Sequence, residues 1–304
     1  MSAVTAPRVP RAGRRPGGTA RRGRTGGGRA LGSLAPTAVL LLGTVYCLLP
    51  VAWVVVAATK TNGELFADAT FAPSTALWAN VAELSAYGDG VFWRWMANTA
   101  FYAGLGAALS ALLSALTGYT LAKYEFRGRE TVFRVLLAGV LVPQIALAVP
   151  QYLLLADAGL TDSYWSVLVL SVFSPYGMYL ARVYAQAAVP DEVVEAARAD
   201  GCSEGRIFAR IALPMMLPGL VTIFLFQFVA IWNNFLLPFI MLGDDRKFPL
   251  TLGIYTLLNQ GTSLPALYTL ALTGALLSII PLVALFLTLQ RYWRVDLVSG
   301  AIKG

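Results

Sequence analysis

EAARADGCSEGRIFARIALP, residues 195–214, is a polar, helix-prone island set between long apolar runs. The surroundings decide the fold class. Of 304 residues, 57% are apolar and 13% are charged, whereas a soluble globular chain carries about 25% charged residues. A mean hydropathy of +0.65 points the same way. Water is not the main solvent of this chain, and the reading is a polytopic membrane protein. The question the island raises is why such a chain keeps a charged segment at all.

Composition also limits the chemistry. The sequence has no histidine, which excludes triads with an imidazole base and His-ligated zinc. Of the two cysteines, Cys47 lies in an apolar run and Cys202 in the island, so neither a disulfide nor a thiolate metal cluster is expected. No catalytic residue and no metal ligand is assigned. Residues 1–33 hold eight arginines, many glycines and no acid. Such a segment cannot bury a core and reads as a basic, disordered tail flanking the first membrane helix rather than as a nucleic-acid arm.

A membrane helix needs about 20 apolar residues to cross about 30 Å of hydrocarbon. Six stretches qualify, near 34–58, 96–122, 132–155, 164–186, 213–242 and 267–290. Hydrocarbon offers no hydrogen-bond partners, so each crossing must be helical and the fold all-α. The expected layout is a tail over 1–33, a first helix over 34–58, an extracytoplasmic loop over 59–95, a five-helix core over 96–290 that contains a cytoplasmic loop at 187–212, and a C-terminal tail over 291–304. Placing both termini, 123–134 and 182–210 on one side gathers 19 of the 23 basic residues there, leaving Lys60, Arg94, Arg246 and Lys247 opposite. The acids divide evenly, so the bias is the positive-inside kind and both termini are expected in the cytoplasm.

Within VPDEVVEAARADG, Pro190 suits a first helical turn, Asp191 and Glu192 suit the positive end of a helix dipole, and Gly201 suits the left-handed position past a helix end. The expected helix has about eleven residues and is too short to cross a membrane. Val193, Ala196, Ala197 and Asp200 share one of its faces. Ser203 is placed to cap a second short helix that runs through Arg206 and Arg210 to Pro214. Small side chains at Ala196 and Ala197 would let a partner's backbone approach closely, and a short amphipathic helix of this kind can dock into a groove.

The pattern is longer than a bare EAA triplet. Glu195, Ala196, Ala197, Gly201, Ile211, Leu213 and Pro214 stand at the spacing of the complete EAA loop, so the chain resembles the permease subunits of ABC importers. YTLAKYEFRGR at 119–129, VPQYLLLADAGLTDS at 149–163, FVAIWNNFLLPF at 228–239 and GAIKG at 300–304 are similar to the carbohydrate, maltose-type branch. The likeness covers roughly 34–304 and implies a type I importer permease fold in a bacterial inner membrane. It further implies that the island couples to an ATP-binding subunit, with Gly300 and Lys303 of the tail reaching the same partner. The partners implied are a second homologous permease forming a heterodimer, a dimer of ATP-binding subunits, an extracytoplasmic sugar-binding protein that meets the loop 243–265, and membrane lipid. No cofactor is assigned to this chain, and ATP and Mg belong to the partner ATPase. The chain has no P-loop of its own: GGRALGS at 27–33 lacks the phosphate-binding lysine.

Polar residues inside spans mark pathways or interhelical hydrogen bonds. Gln144, Gln227, Trp232, Asn233 and Asn234 are the substrate-path candidates, because amides and indoles suit sugar hydroxyls. Gly106, Ser110, Ser114 and Gly118 repeat small residues every four positions and read as a packing seam. An ion-coupled secondary transporter is the alternative. It calls for inverted repeats and carboxylates near the midplane, and the sixteen acids fall near or outside the ends of the expected spans.

Overall fold

The structure, a computed structural model, describes the backbone of residues 28–67 and 70–301 and the side chains of 36–67 and 70–292. Among the described residues every regular element is helical, as expected. Among the described residues four helices are long and apolar enough to cross a membrane, or up to six if each of two bent pairs counts as one span. The arginine-rich segment lies outside the described residues through residue 27. The first helix, α1 (Gly28–Ala58), begins within the stretch read as tail. The chain divides after Val51 into two compact units, and every element beyond α1 belongs to the second.

Two short helices, α2 (Asn62–Ala67) and α3 (Leu77–Ala86), occupy the expected loop 59–95. Asn80 closes the end of α1 by donating to the carbonyls of Ala58 (2.8 Å) and Lys60 (2.9 Å). The 33-residue α4 (Val91–Lys123) follows and contains no proline. Then comes a departure from expectation. The stretch 132–155, read as one span, is two helices, α5 (Arg129–Val140) and α6 (Gln144–Asp157), bent by 105°. Pro143 explains the break, since it supplies no N–H and disfavours helical geometry in the residue before it. The next span is interrupted more gently, between α7 (Tyr164–Val172) and α8 (Pro175–Ala188), where the Ser174 hydroxyl accepts from the Gly177 N–H (3.1 Å) and Pro175 opens the new helix.

Beyond α9 (Asp191–Ala199) and α10 (Glu204–Ile207), a π-turn over Phe208–Ala212 leads into α11 (Leu213–Met215). The stretch 213–242 is likewise not one rod. α12 (Leu217–Trp232) meets the helices before it at 78°, and a break at Asn233–Asn234 separates it from α13 (Leu236–Met241). α14 (Leu250–Gly261) packs against α4 and α15 (Ala266–Ala301), and the latter continues unbroken into the stretch read as C-terminal tail.

α4 is the hub, touching α7, α8, α12 and α14. Its small-residue seam is as expected: Gly106, Ser110, Ser114 and Gly118 are all buried. A Cβ on Gly118 would lie 2.5 Å from the backbone of Ala181 and Arg182 in α8, and one on Gly106 would lie 2.9 Å from Ile231 in α12. In a membrane, where lipid is as apolar as leucine, this backbone-to-backbone approach is what makes one helix prefer another to lipid.

Candidate functional site: a docked helix–turn–helix and a charge-free cleft

The island folds as a helix, a turn and a second helix. α9 has nine residues rather than the expected eleven, with Pro190 immediately before it and Asp191 and Glu192 in its first turn. Gly201 has φ +76, the left-handed conformation expected of it, and a Cβ there would meet nothing within 4 Å. Ser203 sits at the start of α10, but its hydroxyl accepts no capping bond; its carbonyl instead accepts from the N–H groups of Arg206 (2.9 Å) and Ile207 (3.0 Å).

A nine-residue helix has little stability of its own, so packing holds it. Val194 and Ala197 turn inward, where they join Ala115, Tyr119, Ala181, Ala185, Val189 and Ile207 in one apolar cluster, with Ile211 and Leu213 packed against it. This sorts the motif residues into two groups. Ala197, only 7% exposed, Ile211 and Leu213 seat the loop on the body of this chain. Glu195, Ala196 and Pro214 face outward. The pairing of Ala196 with Ala197 on one partner-facing side is thereby corrected: α9 buries its Val194–Ala197 face and leaves Val193, Glu195 and Ala196 on the open one.

Two polar contacts fasten the loop to the end of α4, and a third ties the loop to itself. Lys123 Nζ lies 2.6 Å from Asp191 Oδ1. Tyr124, the residue after α4, donates its phenol to the Glu204 carboxylate. That carboxylate also accepts from Arg198 Nε (2.7 Å) and Nη2 (3.3 Å), which clips the end of α9 to the start of α10 across the Gly201 turn. Hydrogen bonds from Arg198 and then Tyr124 hold the Glu204 carboxyl below its ordinary range, while burial, and next the Glu204 hydrogen bond, push the Tyr124 phenol up to about 12. A depressed carboxyl contributes above its ordinary value of 4.5 and is lost on acidification through the lowered one. A raised phenol contributes below its ordinary value of 10.0 and is lost as pH rises through the raised one. The tie is therefore intact between those two ordinary values. Proteolytic nicking of residues 199–206, measured against another loop of the same chain, is expected to stay flat across neutral pH and to rise only in strong acid or strong base.

The substrate-path candidates gather at a cleft of about 840 Å³ where the helix breaks meet. Gln144, Gln227, Asn233 and Asn234 line it, together with Gln151, Ser171, Ser174 and Tyr176, and no lining residue is charged. Gln227 Nε2 donates to the Ser171 carbonyl at the end of α7 (2.9 Å), so it bridges helices as well as facing the cleft. Asn233 Nδ2 bonds back to the Val229 carbonyl (2.8 Å). Trp232 is the exception. It is 3% exposed, stacks on Phe228 in a core cluster and does not line the cleft.

At the N-terminal end of α4, side chains hold the main chain of the stretch 243–250. Trp95 Nε1 donates to the Asp245 carbonyl (2.9 Å), Asn98 Nδ2 to those of Arg246 (2.9 Å) and Phe248 (3.0 Å), and the Tyr102 hydroxyl to that of Lys247 (3.0 Å). Thr99 Oγ1 accepts from the Leu250 N–H (2.6 Å). The Asp162 carboxylate takes the N–H groups of Gly243 and Asp244 and lies 3.1 Å from Lys247 Nζ. The stretch 243–250 is therefore tied at several points to α4 and to Asp162, and α14 follows it.

Sequence reading did not single out Lys123, Tyr124 and Glu204 as ties, nor Gln151, Ser174 and Tyr176 as cleft residues. Pro143 and the Ser174–Pro175 pair were the available signals for the breaks that open the cleft. Gly300 lies in the last turn of α15, and Lys303 lies outside the described residues. Among the described residues no group of acids or cysteines could hold a metal ion.

The profile of the family described as binding-protein-dependent transport system inner membrane component matches residues 110–294. The chain is similar to the arabinooligosaccharides transport system permease protein AraQ of Halalkalibacterium halodurans, with 35% identity over 71% of this chain and 76% of that one. It is also similar to the lactose transport system permease protein LacG of Rhizobium radiobacter, with 30% identity over 90% of this chain and 98% of that one. Its fold matches a chain from the crystal structure of a bacterial ABC transporter involved in the import of the acidic polysaccharide alginate, with a TM-score of 0.75 at 22% identity, covering 86% of this chain and 96% of the other.

Proposed function

Because this chain belongs to the family of binding-protein-dependent transport system inner membrane components, we propose that it is a permease subunit of an ATP-driven importer for a carbohydrate, forming half of the translocation pathway. The observation that carries this reading is the docked helix–turn–helix. Packing and ion pairs fix it to the body from within, yet it keeps Glu195 and Ala196 on an open face. A segment fastened so firmly behind and left free in front is suited to receive a separate protein and pass on its movement.

In this reading the family loop, Glu195 to Pro214, couples to an ATP-binding subunit that consumes ATP and Mg, and the tail through Gly300 and Lys303 reaches the same partner. A second homologous permease completes the heterodimer, and an extracytoplasmic sugar-binding protein meets the stretch 243–265. The α5–α6 pair serves as one span and α12, entered from the cytoplasmic α9–α11 loop, as another, giving six, with both termini in the cytoplasm of a bacterial cell and lipid around the rim. The named relatives carry arabinooligosaccharides and lactose, and the amide- and hydroxyl-lined cleft has the chemistry to take a sugar.

Purification of the chain with its companions, reconstitution into vesicles and measurement of sugar uptake test the reading. Uptake is expected only with a nucleotide-hydrolysing partner and ATP present; transport by this chain without one would end it. Topology is tested separately. Cys202 is partly exposed beside the Gly201 turn, so in a Cys47→Ser background a membrane-impermeant maleimide is expected to label inside-out vesicles and spare intact cells. The reverse pattern would overturn the assigned orientation.

A further inference from the structure

We infer that α4 is a rigid strut linking the stretch 245–250 to the α9–α10 loop, with Tyr102 and Tyr124 as the positioning residues that fasten its two ends. The inference rests on the proposed function, which puts the sugar-binding protein at one end and the ATPase at the other.

The near end is Trp95, Asn98, Thr99 and Tyr102. Their spacing of three, four and seven residues puts them on one face of α4, and all of their bonds to the turn go to main-chain groups. Main-chain groups cannot move without moving the turn, so this grip fixes its position whatever side chains it carries. The far end is Lys123 and Tyr124, each holding one of the two short helices of the loop. Between the ends, the buried seam from Gly106 to Gly118 sets α4 backbone against neighbouring helices with little side-chain slack. Close packing of that kind passes displacement on rather than absorbing it.

The neighbours are less suited to the task. α5 and α6 meet at 105°, α11 and α12 lie in a pair bent by 78°, and α7 and α8 part at Ser174. Each is a place where a push at one end is taken up by bending. α4 has no proline and no break, so Tyr102 and Lys123, next to Tyr124, lie about 32 Å apart along one continuous rod.

The test is a double-variant cycle in the reconstituted complex, reading ATP hydrolysis with and without loaded sugar-binding protein. Tyr102→Phe and Tyr124→Phe each remove one hydroxyl and keep the ring, and copurification of the ATPase subunits checks assembly. Each is expected to lower the stimulated-to-basal ratio by about two- to tenfold, the range one hydrogen bond commands. Sites this far apart normally act independently; a strut broken at either end predicts instead that the double variant is no worse than the weaker single. A double variant whose loss is the product of the two singles, or singles that leave the ratio unchanged, would overturn the strut. As a second readout, Lys123→Asp is expected to lower the ratio and addition of Asp191→Lys to restore it; failure of the exchange to restore it counts against the far-end grip. A wild-type complex with no stimulation at all would reject the function on which the strut depends, and that result is read before any variant.

Discussion

Gly118→Ala is expected to reduce the amount of folded protein in the membrane at least ~10-fold. The added carbon would stand 2.5 Å from three atoms of α8, two of them backbone atoms, Ala181 C and Arg182 N. A side chain could turn away; a helix backbone has to retreat as a whole. Retreat would open the seam in which Ala111, Ala115, Tyr119, Ala181 and Ala185 pack. Extra methylenes in a well-packed core commonly cost about 1–3 kcal/mol, and here no repacking relieves the contact. Gly104→Ala, on the same helix with nothing within 4 Å of the added carbon, is the control and is expected to accumulate normally. Membrane abundance and elution profile in detergent give the answer; a Gly118→Ala protein indistinguishable from the control would show that the two helices do not rely on this contact.

Gly201→Val is expected to insert normally and to lose at least ~10-fold in sugar uptake. The cause is conformational and not steric, because a Cβ at this position has open space around it. With φ at +76, an L-residue occupies the left-handed region at a cost of about 1–2 kcal/mol, and a β-branched one fares worse. The chain relieves that strain by reorienting α10 against α9. Such a change breaks the Arg198–Glu204 clip across the turn and displaces the open face that the ATPase is proposed to hold. Gly201→Asn, which tolerates this region, is expected to keep most of the uptake. Normal uptake in the valine variant would mean that the shape of the turn is irrelevant to coupling.

Much of the architecture was legible because the bilayer simplifies the problem. Apolar runs of the right length announced the helices, and the small residues at 106, 110, 114 and 118 announced a seam that the structure buries. The turn at Gly201 was legible because few residues adopt its backbone conformation. The bends were not. Composition treats 132–155 and 213–242 as uniformly greasy, and hydropathy cannot register that Pro143 turns one by 105° while Asn233–Asn234 interrupts the other. The orientation of α9 also escaped, because Val193 and Val194 are equally apolar neighbours and only the surrounding cluster decides which turns inward. Trp232 illustrates the same limit. Its indole suits a sugar, but its neighbour Phe228 draws it into the core. The ties at Lys123, Tyr124 and Glu204 join residues 68 and 80 positions apart, beyond the reach of any local pattern.

The absence of charged side chains from the lining of the cleft bears on how the cell keeps its membrane sealed. In the proposed pathway a bare ion entering this cleft would surrender its hydration and find no opposite charge in return, and that loss is prohibitive. Nor is there an imidazole or carboxylate from which a proton wire could be strung. In the proposed pathway, walls of this kind would pass a polar but neutral solute without short-circuiting the voltage across the bilayer.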